Sequence, residues 1–309
     1  MPQKPLHEVA RERRLVGDGA MGTELMRAGL EEGACGEAWN LEHPERVLAI
    51  QRRYVDAGAD CLITNTFGAN RISLTRRGYE SELSEINRTG AWIARQAFDG
   101  RPGFVLGDIG PLGAILEPYG ELPAAEAQTA LEEQAAVLVG AGVDAVIIET
   151  QTALEELGMA IDAALKAGAP CIIASLAYDL LRDGVSYRTM MGVSPGQAAE
   201  FAEGRGAHVV ALNCGTGMDM AGAAKVARLY RRQCELPIMV QPNAGSPTLE
   251  NFKAFYRESP ADMARAVPEV LEAGVAIIGS CCGTTPEHTR EIRRVVDLFQ
   301  QHAPGPATG

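Results

Sequence analysis

Long hydrophobic runs are missing from this sequence, and positive charge is scarce. No apolar stretch approaches the ~20 residues that a helix needs to cross a bilayer, and residues 1–14 are polar and charged, unlike a secretion signal. The chain has 28 Lys and Arg against 40 Asp and Glu, a net charge of −12. Because nucleic acids and anionic membranes both need a concentrated basic surface, we expect neither as a partner. The sequence predicts a soluble cytoplasmic protein.

Cysteine and histidine are also few. Seven cysteines in 309 residues are an odd number at irregular spacings, which argues against a disulfide framework. In a reducing compartment, a group of cysteines indicates metal binding or catalysis instead. The five histidines fall in or before predicted helices or near the carboxyl terminus, and we predict none of them as a metal ligand.

Eight short apolar runs recur along the chain, and each is followed by a segment with apolar residues at helical spacing. Runs of this kind, rich in β-branched residues, are typical of parallel strands buried on both faces. Eight such units predict a single-domain (β/α)8 TIM barrel over residues 1–300, with an open doubly wound sheet as the alternative and a disordered tail at 301–309. The predicted strands are residues 15–18, 61–65, 104–108, 145–149, 171–176, 209–214, 237–242 and 275–281, and the clearest predicted helices are 44–57, 83–97, 124–141 and 153–167.

Two of the predicted connections are long, at residues 19–41 and 243–260. Both follow the carboxyl end of a strand, which is the side on which barrel active sites are built. Loops longer than ~12–15 residues in a compact domain are often lids or binding loops. We therefore predict that both loops border the functional site.

Polar side chains stand at the carboxyl ends of nearly all the predicted strands. On a barrel these ends meet at one mouth, so side chains far apart in the sequence are expected to face one another. The residues concerned are Asp18, Asn65, Asp108, Glu149, Asn213, Cys214, Gln241, Asn243, Cys281 and Cys282.

Three of these residues, Cys214, Cys281 and Cys282, predict a zinc site. A free thiol has a pKa near ~8.5, whereas a thiol coordinated to zinc is deprotonated outright. No fourth Cys or His is placed to close the shell, and an exchangeable fourth position is typical of catalytic zinc. Such a site would activate a small thiol substrate for methyl transfer. Burial as apolar residues is the alternative, and a redox disulfide within the adjacent pair is disfavoured by bridge geometry.

Two acidic residues each have two interpretations. Glu149 ends a fully apolar strand, either as a structural ion-pair partner beneath the loops or as a carboxylate that binds a substrate ammonium. Asp108 lies in a Gly-Asp-Ile-Gly-Pro segment, where stabilising a turn is at least as consistent with the sequence as a role in binding.

Six segments together resemble the zinc-dependent homocysteine S-methyltransferases. The resemblance covers roughly residues 10–298, and it looks closest to the homocysteine-binding barrel of cobalamin-dependent methionine synthase. The combination of motifs is highly specific. The segments are GDGAMGTE at 17–24, TNTFGAN at 64–70, GDIGP at 107–111, NC at 213–214, QPNAG at 241–245 and CCGTTPEH at 281–288.

The resemblance implies an enzyme that moves a methyl group to homocysteine and forms methionine. It implies that Cys214, Cys281 and Cys282 ligate Zn²⁺, and that Asp18 and Glu149 hold the amino-acid end of the substrate.

Three asparagines complete the predicted site. The resemblance implies that Asn243 fills the fourth zinc position when substrate is absent, as a corresponding asparagine does in some relatives. We predict the strand-end amides of Asn65 and Asn213 as further substrate contacts.

The resemblance leaves the methyl donor open. The chain contains no Asp-x-His-x-x-Gly, the cobalamin-binding signature, so the donor is either a separate corrinoid protein that docks at the barrel mouth or a small sulfonium or ammonium compound. Transfer to a different thiol, and a corrinoid-protein-docking subunit that is inactive alone, are the alternative functions. Ser280 stands where the family usually has glycine, so packing or hydrogen bonding beside the zinc is expected to differ there.

Overall fold

The computed structural model describes residues 4–250 and 253–302. The final helix reaches His302, two residues past the predicted boundary of the barrel. The rest of the predicted tail, from residue 303, lies outside the described residues. Within the two described ranges, no helix combines the length and the apolar character needed to cross a membrane.

Eight parallel strands form a closed barrel. They are β1 (Leu15–Val16), β2 (Cys61–Ile63), β3 (Phe104–Ile109), β4 (Ala145–Gln151), β5 (Ile172–Ala177), β6 (Val209–Asn213), β7 (Ile238–Gln241) and β8 (Ile277–Ile278). From β2 to β8 each strand pairs with the next along the chain. Leu15 of β1 pairs with Ile277 of β8, and a bridge between Gly17 and Cys61 joins β1 to β2. The (β/α)8 barrel is therefore confirmed, and the open-sheet alternative is wrong.

Helices surround the barrel and also occupy one segment that was predicted as a loop. The four clearest predicted helices begin and end within one residue of their predicted bounds. Two short helices begin within residues 19–41, and residues 243–260 contain a hairpin of Thr248–Glu250 and Lys253–Phe255. The helices are α1 (Leu6–Glu12), α2 (Met21–Arg27), α3 (Trp39–Glu42), α4 (Pro44–Asp56), α5 (Arg71–Arg77), α6 (Leu83–Ala97), α7 (Ala124–Gly140), α8 (Leu154–Ala167), α9 (Pro195–Gly204), α10 (Met220–Arg231), α11 (Pro260–Glu272) and α12 (Pro286–His302).

Side chains of alternate strand residues fill two separate apolar layers. Leu106 and Ile147 belong to the cluster inside the barrel, whereas their neighbour Val105 belongs to the layer between strands and helices. Leu6 and Ala10 of α1 join the inner cluster and are fully buried. Because α1 fills the amino-terminal end of the barrel, only the carboxyl end remains open for a site.

Candidate metal and substrate site

The three cysteines predicted as ligands come together at the open end of the barrel. Cys214 directly follows β6, and Cys281 and Cys282 follow β8 after a short turn. The Sγ atoms of Cys214 and Cys282 are 3.8 Å apart, and those of Cys281 and Cys282 are 3.9 Å apart. All three cysteines are partly exposed.

This spacing fits a tetrahedral zinc ion. With Zn–S bonds of roughly 2.3 Å, two sulfurs on adjacent tetrahedral corners are separated by roughly 3.8 Å. In the part of the chain that the structure describes, Cys214, Cys281 and Cys282 form the single group of metal-binding side chains whose ligand atoms lie within 4.8 Å of one another. The donor set is therefore suited to a soft or borderline cation and leaves one corner for another ligand.

A strained turn aims Cys214 into the mouth. Its φ of 51° lies in the left-handed region, which costs a non-glycine residue about 1–2 kcal/mol. The next residue, Gly215, has φ 96°, and a Cβ placed on it would lie 1.9 Å from the carbonyl oxygen of Tyr178. Two successive left-handed residues turn the chain sharply at the end of β6, and only glycine fits the second position.

Replacing Gly215 with alanine is expected to lower the free energy of unfolding by at least about 2 kcal/mol, because the new methyl group meets backbone at a positive φ. The matched control is Gly140→Ala at the end of α7, where a Cβ meets no atom within 4 Å; this change should stabilise the protein by about 0.5–1 kcal/mol. Urea unfolding of both variants measures the difference. Equal stabilities would show that the Gly215 turn is not tightly constrained.

The cysteine cluster already favours a thiolate at Cys214. Hydrogen bonds from Cys281 and Cys282 lower the pKa of Cys214 well below its usual value. The same hydrogen bonds raise the pKa of Cys281 and of Cys282, with burial as a further cause. One sulfur thus carries charge before the others, which provides a first ligand for a cation.

Asn243 lies beside this thiolate with a free acceptor. Its Nδ2 donates to the carbonyl oxygen of Gly215 at 3.1 Å, and its side chain also hydrogen bonds with Cys214. The buried Oδ1 has no partner among the described residues. An unpaired buried carbonyl oxygen is costly unless a ligand meets it, so Asn243 Oδ1 is available to accept one.

Three carboxyl groups share the mouth with the cysteines: Asp18 and Asp108 are buried, and Glu149 is partly exposed. Burial raises the pKa of Glu149 to about 7, although its hydrogen bond from Gln241 Nε2 (3.1 Å) opposes the shift. Burial also raises the pKa of Asp18 and of Asp108 well above the usual range, and the charge of Glu149 adds to both shifts. Asp18 accepts from Ile63 N at 2.8 Å, whereas Asp108 Oδ1 has no partner among the described residues.

These carboxyls form an acidic pocket, and no cationic side chain among the described residues is a cause of their pKa shifts. The charges acting on each come from its acidic neighbours and from Cys214. A positively charged ligand would lower all three pKa values and let the groups ionise. Asp108 therefore lies with Asp18 and Glu149 in this pocket, and its position at a predicted strand end is the signal for it in the sequence.

Asn213 and Asn65, two residues predicted to contact substrate, already form hydrogen bonds with other residues of the protein. Asn213 Oδ1 accepts from Ser175 Oγ (2.8 Å) and Thr150 N (3.1 Å), and its Nδ2 donates to Thr150 Oγ1 at 2.7 Å. Asn65 Nδ2 donates to the carbonyl oxygen of Gly36 at 2.8 Å and so ties the segment after β1 to the end of β2. Their contact with substrate stays a prediction.

Ser280, the departure from the family pattern, has a defined contact. Its Oγ donates to Thr284 Oγ1 at 3.0 Å. Thr284 Oγ1 in turn donates to the carbonyl oxygen of Cys281 (2.7 Å) and accepts from Ala20 N (3.2 Å). The extra hydroxyl therefore adds a bond to the network that holds the turn of the cysteine pair against the start of α2.

Tyr256 was not predicted as a site residue. It follows the hairpin of residues 248–255 and packs against Gly283, where a Cβ would lie 2.2 Å from Tyr256 Cβ. Burial and then the charge of Cys282 raise the pKa of its hydroxyl. The only signal in the sequence was the length of the loop at 243–260.

Comparison with known sequences bears on the identity of this site. A family model described as homocysteine S-methyltransferase matches residues 15–296. The chain is 33% identical over 304 residues to methionine synthase from Mycobacterium tuberculosis and 32% identical over 305 residues to that from Mycobacterium leprae, covering 94% of this chain in each case. It spans about a quarter of the length of these curated relatives, 25% of each.

Solved structures agree on the fold. The metallated form of the homocysteine methyltransferase MmuM from Escherichia coli has a TM-score of 0.77 at 21% identity, covering 94% of this chain and 99% of that chain. A carboxyl transferase domain of pyruvate carboxylase from Rhizobium etli has a TM-score of 0.54 at 16% identity, covering 98% and 51%. At these identities the structures support the barrel alone. The family match extends over nearly the whole barrel and includes all three clustered cysteines; this chain belongs to the homocysteine S-methyltransferase family.

Proposed function

We propose that this chain transfers a methyl group to the sulfur of homocysteine and so forms methionine. The observation that carries the proposal is the placement of the sulfurs of Cys214, Cys281 and Cys282 at tetrahedral ligand spacing in the open end of the barrel. Family membership supports it. The acting unit is the barrel of residues 1–300, and the cytoplasm, where free thiols stay reduced, is its proposed location.

Zn²⁺ is the proposed cofactor, held by Cys214, Cys281 and Cys282. When bound, the ion supplies the positive charge that keeps a coordinated substrate thiol deprotonated near neutral pH. Asn243 Oδ1, buried and without a described partner, is the proposed fourth ligand that substrate displaces. Being neutral, it is easier to exchange than a fourth thiolate would be.

The acidic pocket is the proposed site of the substrate ammonium group. Asp18, Asp108 and Glu149 interact electrostatically, and no cation from the described part of the chain is a cause of their pKa shifts. An ammonium would complete their charges, whereas a thiol without one would leave buried acids unpaired or protonated. The pocket therefore selects an amino thiol and fixes the direction from which its sulfur reaches the cysteines.

A separate corrinoid protein is the proposed methyl donor. Similarity to the methionine synthases over only a quarter of their length supports a donor carried on another protein or segment. Large apolar side chains exposed on loops at the carboxyl side of the barrel, such as Ile115 (59% exposed) and Met190 (75%), also favour docking of a macromolecule. A small sulfonium or ammonium donor would need no such surface.

A donor screen tests the proposal. Purified protein is assayed for zinc content and then incubated with homocysteine and one of four donors: a methylated corrinoid protein, free methylcobalamin, S-methylmethionine or betaine. We expect about one zinc per chain, methionine detected by mass spectrometry, and the fastest reaction with the corrinoid protein. Chelation should stop the reaction and added zinc should restore it. The proposal would be contradicted if the purified protein contained no zinc or if no donor gave methionine. Methylation of another thiol, tested in a parallel panel of thiols, would favour the alternative acceptor.

A further inference from the structure

Strand β4 has a bulge where it reaches the mouth of the barrel. Between Ile148 and Gln151, β4 advances three residues while its neighbour β5 advances two, from one paired position to the next. Bulges at barrel rims redirect a side chain and interrupt the regular pairing. The two residues inside the bulge are Glu149 and Thr150, so the geometry of the bulge determines where the Glu149 carboxyl group points.

Thr150 has a left-handed backbone inside this bulge. Its φ is 59°, which is a genuine outlier for a β-branched residue. Among the non-glycine residues of the described ranges, Asp99 and Cys214 are the others with a positive φ, and Cys214 lies at the same mouth. A strained conformation of this kind persists only where the surroundings hold it in place.

The side chain of Asn213 bonds both the backbone and the hydroxyl of Thr150. Its Oδ1 accepts from Thr150 N at 3.1 Å, and its Nδ2 donates to Thr150 Oγ1 at 2.7 Å. A backbone N–H can only donate, so the atom of the amide that faces it must be the oxygen. Oδ1 also accepts from Ser175 Oγ at 2.8 Å. Asn213 and Ser175 are both buried, which makes these hydrogen bonds costly to lose.

The bond to Thr150 N also constrains Glu149. The peptide that joins Glu149 to Thr150 is planar, so fixing the direction of its N–H fixes the rotation about the Cα–C bond of Glu149. The carboxyl group that follows from this backbone accepts from Gln241 Nε2 at 3.1 Å. Both acceptor positions of Asn213 Oδ1 are already occupied, so this oxygen affects the substrate through Thr150 and Glu149.

We propose that Asn213 is a positioning residue: its amide holds Thr150 in the left-handed conformation and thereby directs the Glu149 carboxylate toward the substrate ammonium group. The inference rests on the proposed methyl transfer to homocysteine, and it replaces direct contact of Asn213 with substrate. Non-glycine residues disfavour the left-handed region by roughly 5- to 30-fold. Without the two hydrogen bonds, most molecules would therefore misdirect Glu149, and the apparent affinity for homocysteine would fall accordingly.

Thr150→Val tests the proposal without changing Asn213 or its neighbour Cys214. Valine keeps the branched shape but lacks the hydroxyl that accepts from Asn213, so the KM for homocysteine should rise about tenfold with little change in kcat. Thr150→Gly also lacks the hydroxyl, yet glycine adopts a φ of 59° without steric cost, so its KM should rise by no more than about threefold. Zinc content should stay at the wild-type level in both. Equal rises in the two variants would contradict the inference, because the hydroxyl itself would then matter and the backbone would not.

Combination with Glu149→Gln shows whether Asn213 acts through Glu149. Asn213→Ala should raise the KM about tenfold in the wild type but less than about twofold in Glu149→Gln, because the side chain that it positions is already altered. A rise of about tenfold in both backgrounds would indicate direct contact between Asn213 and substrate and would refute the inference. The matched control is Asn70→Ala. Asn70 is buried and caps α5 by accepting from Ser73 N at 2.9 Å, so its replacement should cost stability and leave the KM unchanged.

A crystal structure of Asn213→Ala distinguishes failure of this inference from failure of the proposed function. We expect Thr150 to leave the left-handed region and the hydrogen bond between Gln241 and Glu149 to be lost. A Thr150 that keeps its φ of 59° without the amide would overturn the inference, whatever the activity of the variant. Wild-type protein that forms no methionine would instead overturn the proposed function.

Discussion

Replacing Cys281 with alanine is expected to remove zinc from the protein and to abolish methionine formation. The variant keeps two sulfurs, 3.8 Å apart, and leaves two of four tetrahedral corners without a strong ligand. Zinc sites with four protein ligands bind with roughly 10–16 kcal/mol, so the loss of one thiolate should weaken binding on the order of 100-fold or more. We expect methionine formation to fall by at least about 1,000-fold, because the metal is lost and the remaining site is misshapen.

Cys234→Ala is the matched control for this experiment. Cys234 is buried just beyond α10 and lies outside the cluster of three sulfurs. Its replacement should leave zinc content and activity unchanged and cost only packing energy. Zinc is measured by atomic emission after dialysis, and circular dichroism checks that both variants fold. A zinc-replete, fully active Cys281→Ala protein would exclude the three-cysteine site.

Replacing Glu149 with glutamine is expected to raise the KM for homocysteine on the order of 100-fold, since removal of one partner of a buried charge pair costs about 2–5 kcal/mol. The side chain accepts from Gln241 Nε2 in the substrate-free site, and the proposed ammonium would be its charged partner. Because the contact holds substrate in both ground and transition states, kcat should change little.

Comparison of substrates makes the Glu149 test specific. The wild type should prefer homocysteine strongly over 4-mercaptobutanoate, which has the thiol and the carboxylate but no amino group, and Glu149→Gln should lose most of that preference. Glu269→Gln, which removes a surface ion pair with Arg228, serves as the charge-matched control and should retain it. An unchanged KM and preference in Glu149→Gln would move the ammonium contact to Asp18 or Asp108.

The barrel and its sulfur cluster were predictable because their signals are local and periodic. Each strand is a short apolar run, and the fold then determines which strand ends meet. Cys214 and Cys281 are far apart in the sequence, yet both come just after a strand, and parallel strands carry their ends to one mouth. Helices α4, α6, α7 and α8 have apolar faces or clear flanking residues, so their bounds could be predicted as well.

Contacts and backbone conformations that depend on how the loops fold could not be predicted from the sequence. The packing of Tyr256 against Gly283 depends on how a hairpin folds back, and apolar periodicity does not specify that path. The left-handed backbone of Cys214 could not be predicted from its residue type, because non-glycine residues seldom adopt this conformation. β8 was predicted over residues 275–281 but pairs regularly only at Ile277–Ile278, because beyond it Ser280 N donates to Asp18 O and the chain leaves the ladder.

The closure of the barrel has a consequence for how the protein matures. The last strand completes the ring by pairing with the first, and the turn that follows it supplies two of the three sulfurs. A ribosome-bound chain that has not yet emerged past residue 280 therefore has one of the three site sulfurs, an open sheet and no complete metal site. Zinc uptake becomes possible only when synthesis of the barrel is nearly finished. Metal capture by arrested nascent chains of increasing length would thus report the moment at which the ring closes.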